Sequence, residues 1–531
     1  MATCGPAAIP TLIIAGARRV TIELIQSLRR AATVRPNAIA AYDGELQPTW
    51  AELDRAVHSL AAGLAGLGVA RGDRVAILAG NGLGYYQALF ALFALGAVAV
   101  PLNTRLAPPE LAFQIGDAGA RVLLTDAGLA ETAQGLRSAG IELLVDLGLG
   151  ASAPGCDHAI DALIAALAPL RPAPIEDSAL AGIFYTGGTT GLPKGVMLSH
   201  RNLYSMAAGL VMQLQLDEDA VVLHSAPMFH LADFAIFVVT LVAGTHVFIP
   251  ALDDATMLNA IERYRVTHSF TVPAVIDRIA RSESLASRDL SALKVLGYGG
   301  APMPWGTYCN AREKLPGIDF VQGFGMTEMP SHTFLGARYH RAGADPGLLR
   351  SAGQAGYGYE VRIVDAAGNP LPPGTLGEIA GRGDNVMLGY WNRPEETAQA
   401  LRGDWMHSGD AGYMDEAGFV YITDRFKDMI VTGGENVYSI EVESVVSTHP
   451  AVLECAVIGV PDDKWGERVH AVVSLRPGAA LDPDTLIAHC RGQLAGYKIP
   501  RSLQVHDGPL PRSAAGKVQK AVLRAPHWEG R

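Results

Sequence analysis

Between one apolar run, Ala181-Gly182-Ile183-Phe184, and another, Val196-Met197-Leu198, the chain reads Tyr185-Thr186-Gly187-Gly188-Thr189-Thr190-Gly191-Leu192-Pro193-Lys194-Gly195. The apolar flanks predict two buried strands and the segment between them a loop. Glycine lets backbone N–H groups approach an anion closely, threonine hydroxyls donate to phosphate oxygens, and Lys194 supplies a cation, so the composition suits a polyphosphate. The loop is not a Walker A motif, because no Gly-Lys-Ser/Thr ends it. Composition alone fits a flexible hairpin with a chance lysine equally well.

Six further blocks follow downstream. They are Gly299-Gly300-Ala301-Pro302, Gln322-Gly323-Phe324-Gly325-Met326-Thr327-Glu328, Trp405-Met406-His407-Ser408-Gly409-Asp410, Thr423-Asp424-Arg425-Phe426-Lys427-Asp428, Gly433-Gly434-Glu435-Asn436-Val437-Tyr438, and Leu510-Pro511-Arg512-Ser513-Ala514-Ala515-Gly516-Lys517-Val518-Gln519-Lys520. Four of them have an ordinary reading alone: a helix cap at Thr327-Glu328, a turn at Asp410, a glycine-pair turn, a solvated Gly-Lys. Together with the loop, and in this order from about residue 45 to 520, they resemble the adenylate-forming superfamily of acyl-CoA synthetases, peptide-synthetase adenylation domains and firefly-type luciferases.

The resemblance implies a role for each block. Thr186, Gly187, Gly188, Thr189, Thr190, Gly191 and Lys194 hold the phosphates of ATP; Gly187 stands where the family usually has serine, which removes one donor. Gly299, Gly300 and Ala301 let the purine lie on the backbone, and Phe324, in the Gln322, Gly323, Gly325 block, stacks on it in place of the common tyrosine. Thr327 contacts the α-phosphate, Glu328 holds Mg²⁺, Asp410 takes the ribose diol and Arg425 is a second nucleotide contact. Lys517 catalyses adenylation, Lys427 is the hinge, and Gly433, Gly434 and Glu435 line the channel for coenzyme A.

The implied activity is an ATP-dependent ligation of a fatty or aryl carboxylic acid to coenzyme A through an acyl-adenylate, with release of AMP and pyrophosphate. Pro227-Met228-Phe229-His230 resembles the family's P-x-F-H block, so His230 gates the acyl pocket under this reading, with a buried structural histidine as the alternative. Asp233, where the family commonly has glycine, either reads a polar group of the acid or N-caps the apolar helix Phe234 to Val242. Gly297, Tyr298, Met326 and Met329 are the remaining pocket candidates. Two rival readings share the nucleotide motifs: an enzyme that loads its acyl group onto a carrier protein, and a nucleotide-binding regulator without catalysis. Nothing in the sequence specifically supports light emission.

Composition is consistent with this chemistry. The 531 residues are 49% hydrophobic and 18% charged, which excludes wholesale disorder. The net charge of −11 argues against broad binding to nucleic acid or anionic lipid. Five cysteines, scattered and never in a C-x-x-C pair, favour reduced thiols and a cytoplasmic location over a disulfide framework. The longest greasy stretches, Ala88 to Val100 and Phe234 to Val242, fall short of the ~20 residues of a membrane span. Leu12-Ile13-Ile14, followed rather than preceded by Arg18-Arg19, is not read as an export signal. The oligomeric state stays open, a homodimer included.

Organisation follows from the pattern of elements. Thr49 to Glu52 has the form of a capping box, and Leu53, Val57, Leu60, Leu64 and Leu67 recur at helical spacing up to Gly68. The apolar run Val75 to Leu78 then predicts a buried strand, and the alternation of helix and strand predicts parallel α/β architecture. Ala, Gly and Pro thin the sequence between about 145 and 178, and short β runs begin after Gly353. The expected fold is α/β: a large N-terminal domain, 1–424, with subdomains of roughly 1–170, 171–352 and a β-rich 353–424, then a hinge at 425–428 and a small, mobile α+β domain, 429–531.

Overall fold

A computed structural model describes residues 23–149, 153–170, 174–186, 192–301, 303–341, 343, 345–425, 428–512 and 518–529. The capping box at Thr49 is formed: Thr49 Oγ1 accepts the Glu52 N–H and Glu52 Oε2 accepts the Thr49 N–H, which starts the helix Trp50–Gly66. Its Leu53, Val57, Leu60 and Leu64 are buried, as the spacing predicts. The greasy stretch 88–100 belongs to two elements. Gly96, at φ 68°, ends the helix Leu83–Leu95 and the chain turns into the strand Val98–Pro101. That helix is buried on nearly all sides because it lies in the core shared by the two large sheets: Phe90 and Phe93 belong to one buried cluster with Val145 of the first sheet and Val222 and Phe248 of the second.

The first sheet has eight strands, in the order Gly389–Tyr390, Lys194–Ser199, Leu180–Thr186, Val98–Pro101, Arg74–Leu78, Val122–Thr125, Leu143–Asp146 and His158–Ala159. Only Lys194–Ser199 runs antiparallel to its neighbours. The second sheet also has eight: Ala41–Asp43, Thr245–Phe248, Val221–Leu223, His268–Thr271, Val295–Gly299, Asp319–Met326, Met329–Leu335 and Gln354–Ala355. Met329–Leu335 runs antiparallel to both its neighbours, and the other strands all run in one direction.

Strand membership does not follow the expected cut near residue 170. Leu180–Thr186 and Lys194–Ser199 complete the first sheet, and Ala41–Asp43 belongs to the second. The Ala, Gly and Pro-rich stretch therefore joins strands of one sheet, and its described residues include the strand His158–Ala159 and the helix Ile160–Ala166. What ties Ala41–Asp43 to the second sheet is a ladder to Thr245–Phe248, distant in sequence, with register Ala41↔His246.

An antiparallel sheet of Tyr359–Val364, Gly377–Gly383, Leu401–Arg402, Trp405–Met414 and Val420–Arg425 follows. A last sheet comprises Ile430–Thr432, Glu435–Val437, Val452–Asp462, Gly466–Leu475 and Ser502–Val505, accompanied by the helices Ser439–Val446 and Pro483–Cys490. Asp482 caps the second of these through Thr485 N–H at 2.9 Å. Among the described residues no helix is long and apolar enough to cross a membrane.

Candidate active site

Leu180–Thr186 and Lys194–Ser199 form the expected hairpin, with Thr186 opposite Lys194. Gly187, Gly188, Thr189, Thr190 and Gly191, the tip of that hairpin, lie outside the described residues. Lys194 Nζ stands 4.2 Å from the centre of the Tyr390 ring, close enough for a cation–π contact. Tyr390 donates its hydroxyl to Glu328 Oε1 at 2.9 Å. Three distant stretches of chain thus meet at one point.

Local pairing explains why. Gly389–Tyr390 lies alongside Lys194–Ser199, with Tyr390 opposite Val196. Thr327 and Glu328 are the two-residue turn that joins the strands ending at Met326 and starting at Met329, so they cap no helix. The Glu328 carbonyl accepts the Met387 N–H at 2.9 Å, and only 6% of the residue is exposed. Burial, and then the neighbouring Glu328 carboxylate, drive the Tyr390 phenol far above its ordinary pKa, so it stays a neutral donor.

A cleft of about 230 Å³ opens here, lined among others by Lys194, Met326, Tyr390, Arg402 and His407. On its far side Glu378 organises the wall: Oε2 lies 2.8 Å from both Arg402 Nη2 and His407 Nδ1, and Oε1 accepts the Gly409 N–H at 3.0 Å. Met326, an acyl-pocket candidate, therefore borders the polar cleft. Sequence reasoning does not single out Tyr390, Glu378 or Arg402. For Tyr390 the available signal is Gly389-Tyr390-Trp391, an aromatic pair in a polar stretch; the two charges carry none.

Two glycines of the nucleotide side, Gly299 and Gly325, leave no room for a side chain. Gly299 and Gly323 face each other on parallel strands, and a Cβ on Gly299 would sit 2.5 Å from the Gly323 carbonyl oxygen. A Cβ on Gly325 would meet the Ser331 nitrogen at 2.4 Å. Gly300, at φ 76°, turns the chain at the strand end, leaving Ala301 exposed; Pro302 lies outside the described residues. Phe324 is half-buried and Gln322 buried. Asp410 and Arg425 are cross-strand partners, so the two expected nucleotide contacts are adjacent along the backbone, the only part of Arg425 described.

The acyl-pocket candidates divide. Gly297 has the Phe270 ring against it, where a Cβ would be 2.1 Å from Cζ, and Phe270 in turn meets Phe234 edge-on at 4.3 Å. Tyr298, one residue on and hence on the opposite face of the strand, is 1% exposed, with its hydroxyl 2.9 Å from His340 Nε2 and 3.2 Å from Gln322 Oε1. It belongs to the core behind the sheet. Met329 is likewise fully buried, its sulfur against Gly381. His230 is half-buried, its ring 4.6 Å from that of Phe229. Asp233 neither caps the following helix, whose N-cap is Phe234, nor stands open to a pocket. It is 4% exposed and bound to His224 Nδ1 at 2.7 Å.

In the last sheet Gly433 and Gly434, at φ 61° and 85°, form the turn between Ile430–Thr432 and Glu435–Val437. A Cβ on Gly433 would meet the Trp465 ring at 2.7 Å, and the Gly433 N–H donates to the Trp465 carbonyl at 2.8 Å. Glu435 is exposed. Lys427 and Lys517 lie outside the described residues. The base of the segment that carries Lys517 is closed by an Arg512↔Val518 bridge and by Gln519 N–H to the Pro511 carbonyl at 2.8 Å.

Two family models match the chain. The family model described as AMP-binding enzyme matches residues 28–391, and the one described as AMP-binding enzyme C-terminal domain matches 441–517. A feruloyl-CoA synthase from Amycolatopsis sp is 41% identical over 497 residues, covering 93% of this chain and 97% of its own. The structure of ATP-bound MatB from Rhodopseudomonas palustris, 30% identical, has a TM-score of 0.87 and covers 96% of this chain and 99% of its own. The o-succinylbenzoate CoA synthetase MenE from Bacillus subtilis, in complex with the acyl-adenylate intermediate OSB-AMP, is 32% identical with a TM-score of 0.81, covering 95% and 98%.

Proposed function

This chain belongs to the AMP-binding enzyme family, and from that premise we propose that it is an ATP-dependent acid:CoA ligase acting through an acyl-adenylate, with an aryl acid as substrate. The observation that carries the reading is the junction of Lys194, Tyr390 and Glu328 at the mouth of a polar cleft. The aryl preference is supported by the feruloyl-CoA synthase relative and by the aromatic wall of Phe234 and Phe270 beside Gly297.

A carboxylate resists attack by a thiol because its charge repels the nucleophile and its leaving group would be an oxide ion. Attack of one carboxylate oxygen on the α-phosphorus of ATP expels pyrophosphate and makes AMP the leaving group. Bringing carboxylate and triphosphate together sets anion against anion, so positive charge and oriented donors must be waiting in a site shielded from water. Lys194 and the 186–191 loop supply them from one side, and Lys517 from the small domain.

Glu328 would hold Mg²⁺: its buried carboxylate is a hard oxygen donor of the kind that ion prefers. Mg²⁺ held there supplies positive charge against the triphosphate. Tyr390 fixes the orientation of the Glu328 carboxylate, and the neutral phenol adds no charge of its own. Asp410 and Arg425 take the ribose, and Phe324 the adenine.

In the second step the thiolate of coenzyme A attacks the same carbonyl carbon and AMP leaves. The Lys517 segment must vacate the space first, and rotation of the small domain about 425–428 exchanges it for the Gly433-Gly434 turn. The test is acid-dependent release of pyrophosphate and AMP, with ferulate compared against an aliphatic acid of similar length, and identification of the thioester by mass. Thioester from ferulate supports the reading; no acid-dependent pyrophosphate with either acid would refute it. A carrier protein accepting the acyl group in place of coenzyme A would revise the acceptor alone.

A further inference from the structure

Behind the loop that carries His230 lies a line of hydrogen bonds that the chemistry above does not use. Asp233 Oδ2 is 2.7 Å from His224 Nδ1, His224 Nε2 is 2.9 Å from His246 Nδ1, and His246 Nε2 is 3.2 Å from Thr240 Oγ1, which is 2.8 Å from the Tyr86 hydroxyl. Four of the five are at 0% exposure and Asp233 is at 4%. They come from the end of one strand, the next strand in the sheet, the helix Ala235–Val242, the helix Leu83–Leu95 and the loop itself.

So much buried polar surface is tolerated only when every group is paired, and each of these groups has a partner along the line. Burial holds the His246 pKa well below its ordinary value, so that ring is neutral with a single N–H. That N–H sits either on Nδ1, facing His224 Nε2, or on Nε2, facing Thr240 Oγ1, and in both cases His224 Nδ1 faces the Asp233 carboxyl. Thr240 Oγ1 donates to the Ile236 carbonyl at 2.7 Å and also meets His246 Nε2 and the Tyr86 hydroxyl. Every member of the line thus has a polar partner, and the Asp233 carboxyl ends it.

That end is where the line meets the loop 226–233. The loop is anchored at its start by Asn81, which donates to the Ala226 carbonyl and accepts the Met228 N–H, both at 2.8 Å. Asp233 anchors its end. Between the anchors stand Phe229 and His230, and directly after comes Phe234, which packs on Phe270 beside Gly297.

We propose that Asp233 and His224 are positioning residues for acid selection, holding the His230 loop and the Phe234–Phe270 wall in register against the substrate. The proposal rests on the ligase reading above. It separates Asp233 from any direct contact with the acid, since its carboxylate is turned inward onto His224. Loosening the anchor should therefore degrade recognition of the acid and leave ATP binding alone.

The experiment compares Asp233→Ala, Asp233→Asn and Tyr86→Phe, each checked by circular dichroism and melting, in steady-state adenylation with ferulate and with an aliphatic acid. Asp233→Ala should raise KM for ferulate by at least ~10-fold, narrow the preference between the two acids and leave KM for ATP within about 2-fold, a pattern that marks lost substrate positioning. Asp233→Asn, whose amide oxygen can still accept the His224 N–H, should recover a large part of the loss. Should the alanine variant fail to fold, a raised ferulate KM with unchanged ATP KM in Asp233→Asn supports the proposal in its place. Tyr86→Phe, at the far end, should lower the melting temperature without moving acid preference. Wild-type acid selectivity in folded Asp233 variants, or an equal effect from Tyr86→Phe, overturns the proposal. Absence of acid-dependent pyrophosphate in the wild type would instead be a failure of the ligase reading.

Discussion

Replacing Tyr390 by phenylalanine removes one oxygen atom and keeps the ring on which Lys194 rests. The oxygen donates to Glu328 Oε1 at 2.9 Å, and the carboxylate is almost wholly buried, with 6% of the residue exposed. Hydrogen bonds to charged groups contribute about 1.5–3 kcal/mol, and at 1.36 kcal/mol per factor of ten their loss corresponds to roughly a 10- to 100-fold fall if the oriented carboxylate matters chiefly in the transition state. Tyr390→Phe should therefore slow acid-dependent ATP–pyrophosphate exchange by that factor and raise the Mg²⁺ concentration needed for half-maximal rate. Tyr390→Leu, which also removes the aromatic face 4.2 Å from Lys194 Nζ, should lose a further factor of a few, since an exposed cation–π contact is worth about 0.5–1 kcal/mol. The assay is exchange rate against Mg²⁺ at saturating ATP and acid. Wild-type rate and Mg²⁺ dependence in a folded Tyr390→Phe protein would show that the phenol does not orient the Glu328 carboxylate for the reaction.

The two steps can be separated by mutation. Lys517→Ala should reduce adenylation at least ~10²-fold, the scale for deleting one transition-state contact, while thioester formation from synthetic acyl-AMP is largely spared. Lys427→Pro, by restricting φ at the hinge, should leave pyrophosphate exchange near normal and impair thioester formation; equal loss of both steps would count against a hinge there. Burial lowers the pKa of His200, His332 and His340 to about 4 in the folded chain. Because the folded values lie below the ordinary 6.5, the unfolded chain binds the extra protons, so stability is complete above about pH 6.5 and is lost as pH falls toward 4. Melting temperature measured from pH 7.5 down to 5 should fall progressively; a flat profile would contradict the neutral burial of these histidines.

Local signals are legible where a short stretch decides its own structure. Thr49 and Glu52 close their capping box within one turn, and Leu53, Val57, Leu60 and Leu64 are buried as their helical spacing predicts. Glycines such as Gly299 and Gly325 stand out because an approaching backbone forbids a side chain. What cannot be read locally depends on partners far away in the chain. Ala41–Asp43 takes its sheet from a ladder with Thr245–Phe248, a pairing no local pattern encodes. Asp233 has the sequence context of an N-cap, yet His224 claims its carboxylate. Tyr390 reaches Glu328 only because its strand pairs with the one that carries Lys194. Tyr298 reads as pocket lining from its neighbours, but strand alternation turns it into the core.

All of the proposed chemistry turns on attack by a carboxylate oxygen of the acid at the α-phosphorus of ATP. Running the reaction with acid carrying ¹⁸O in its carboxylate, ATP and coenzyme A, and then weighing the products by mass spectrometry, follows that oxygen directly. The expected products are AMP bearing a single ¹⁸O and unlabelled pyrophosphate. Label in inorganic phosphate with ADP as the nucleotide product, or AMP without label, would rule that attack out.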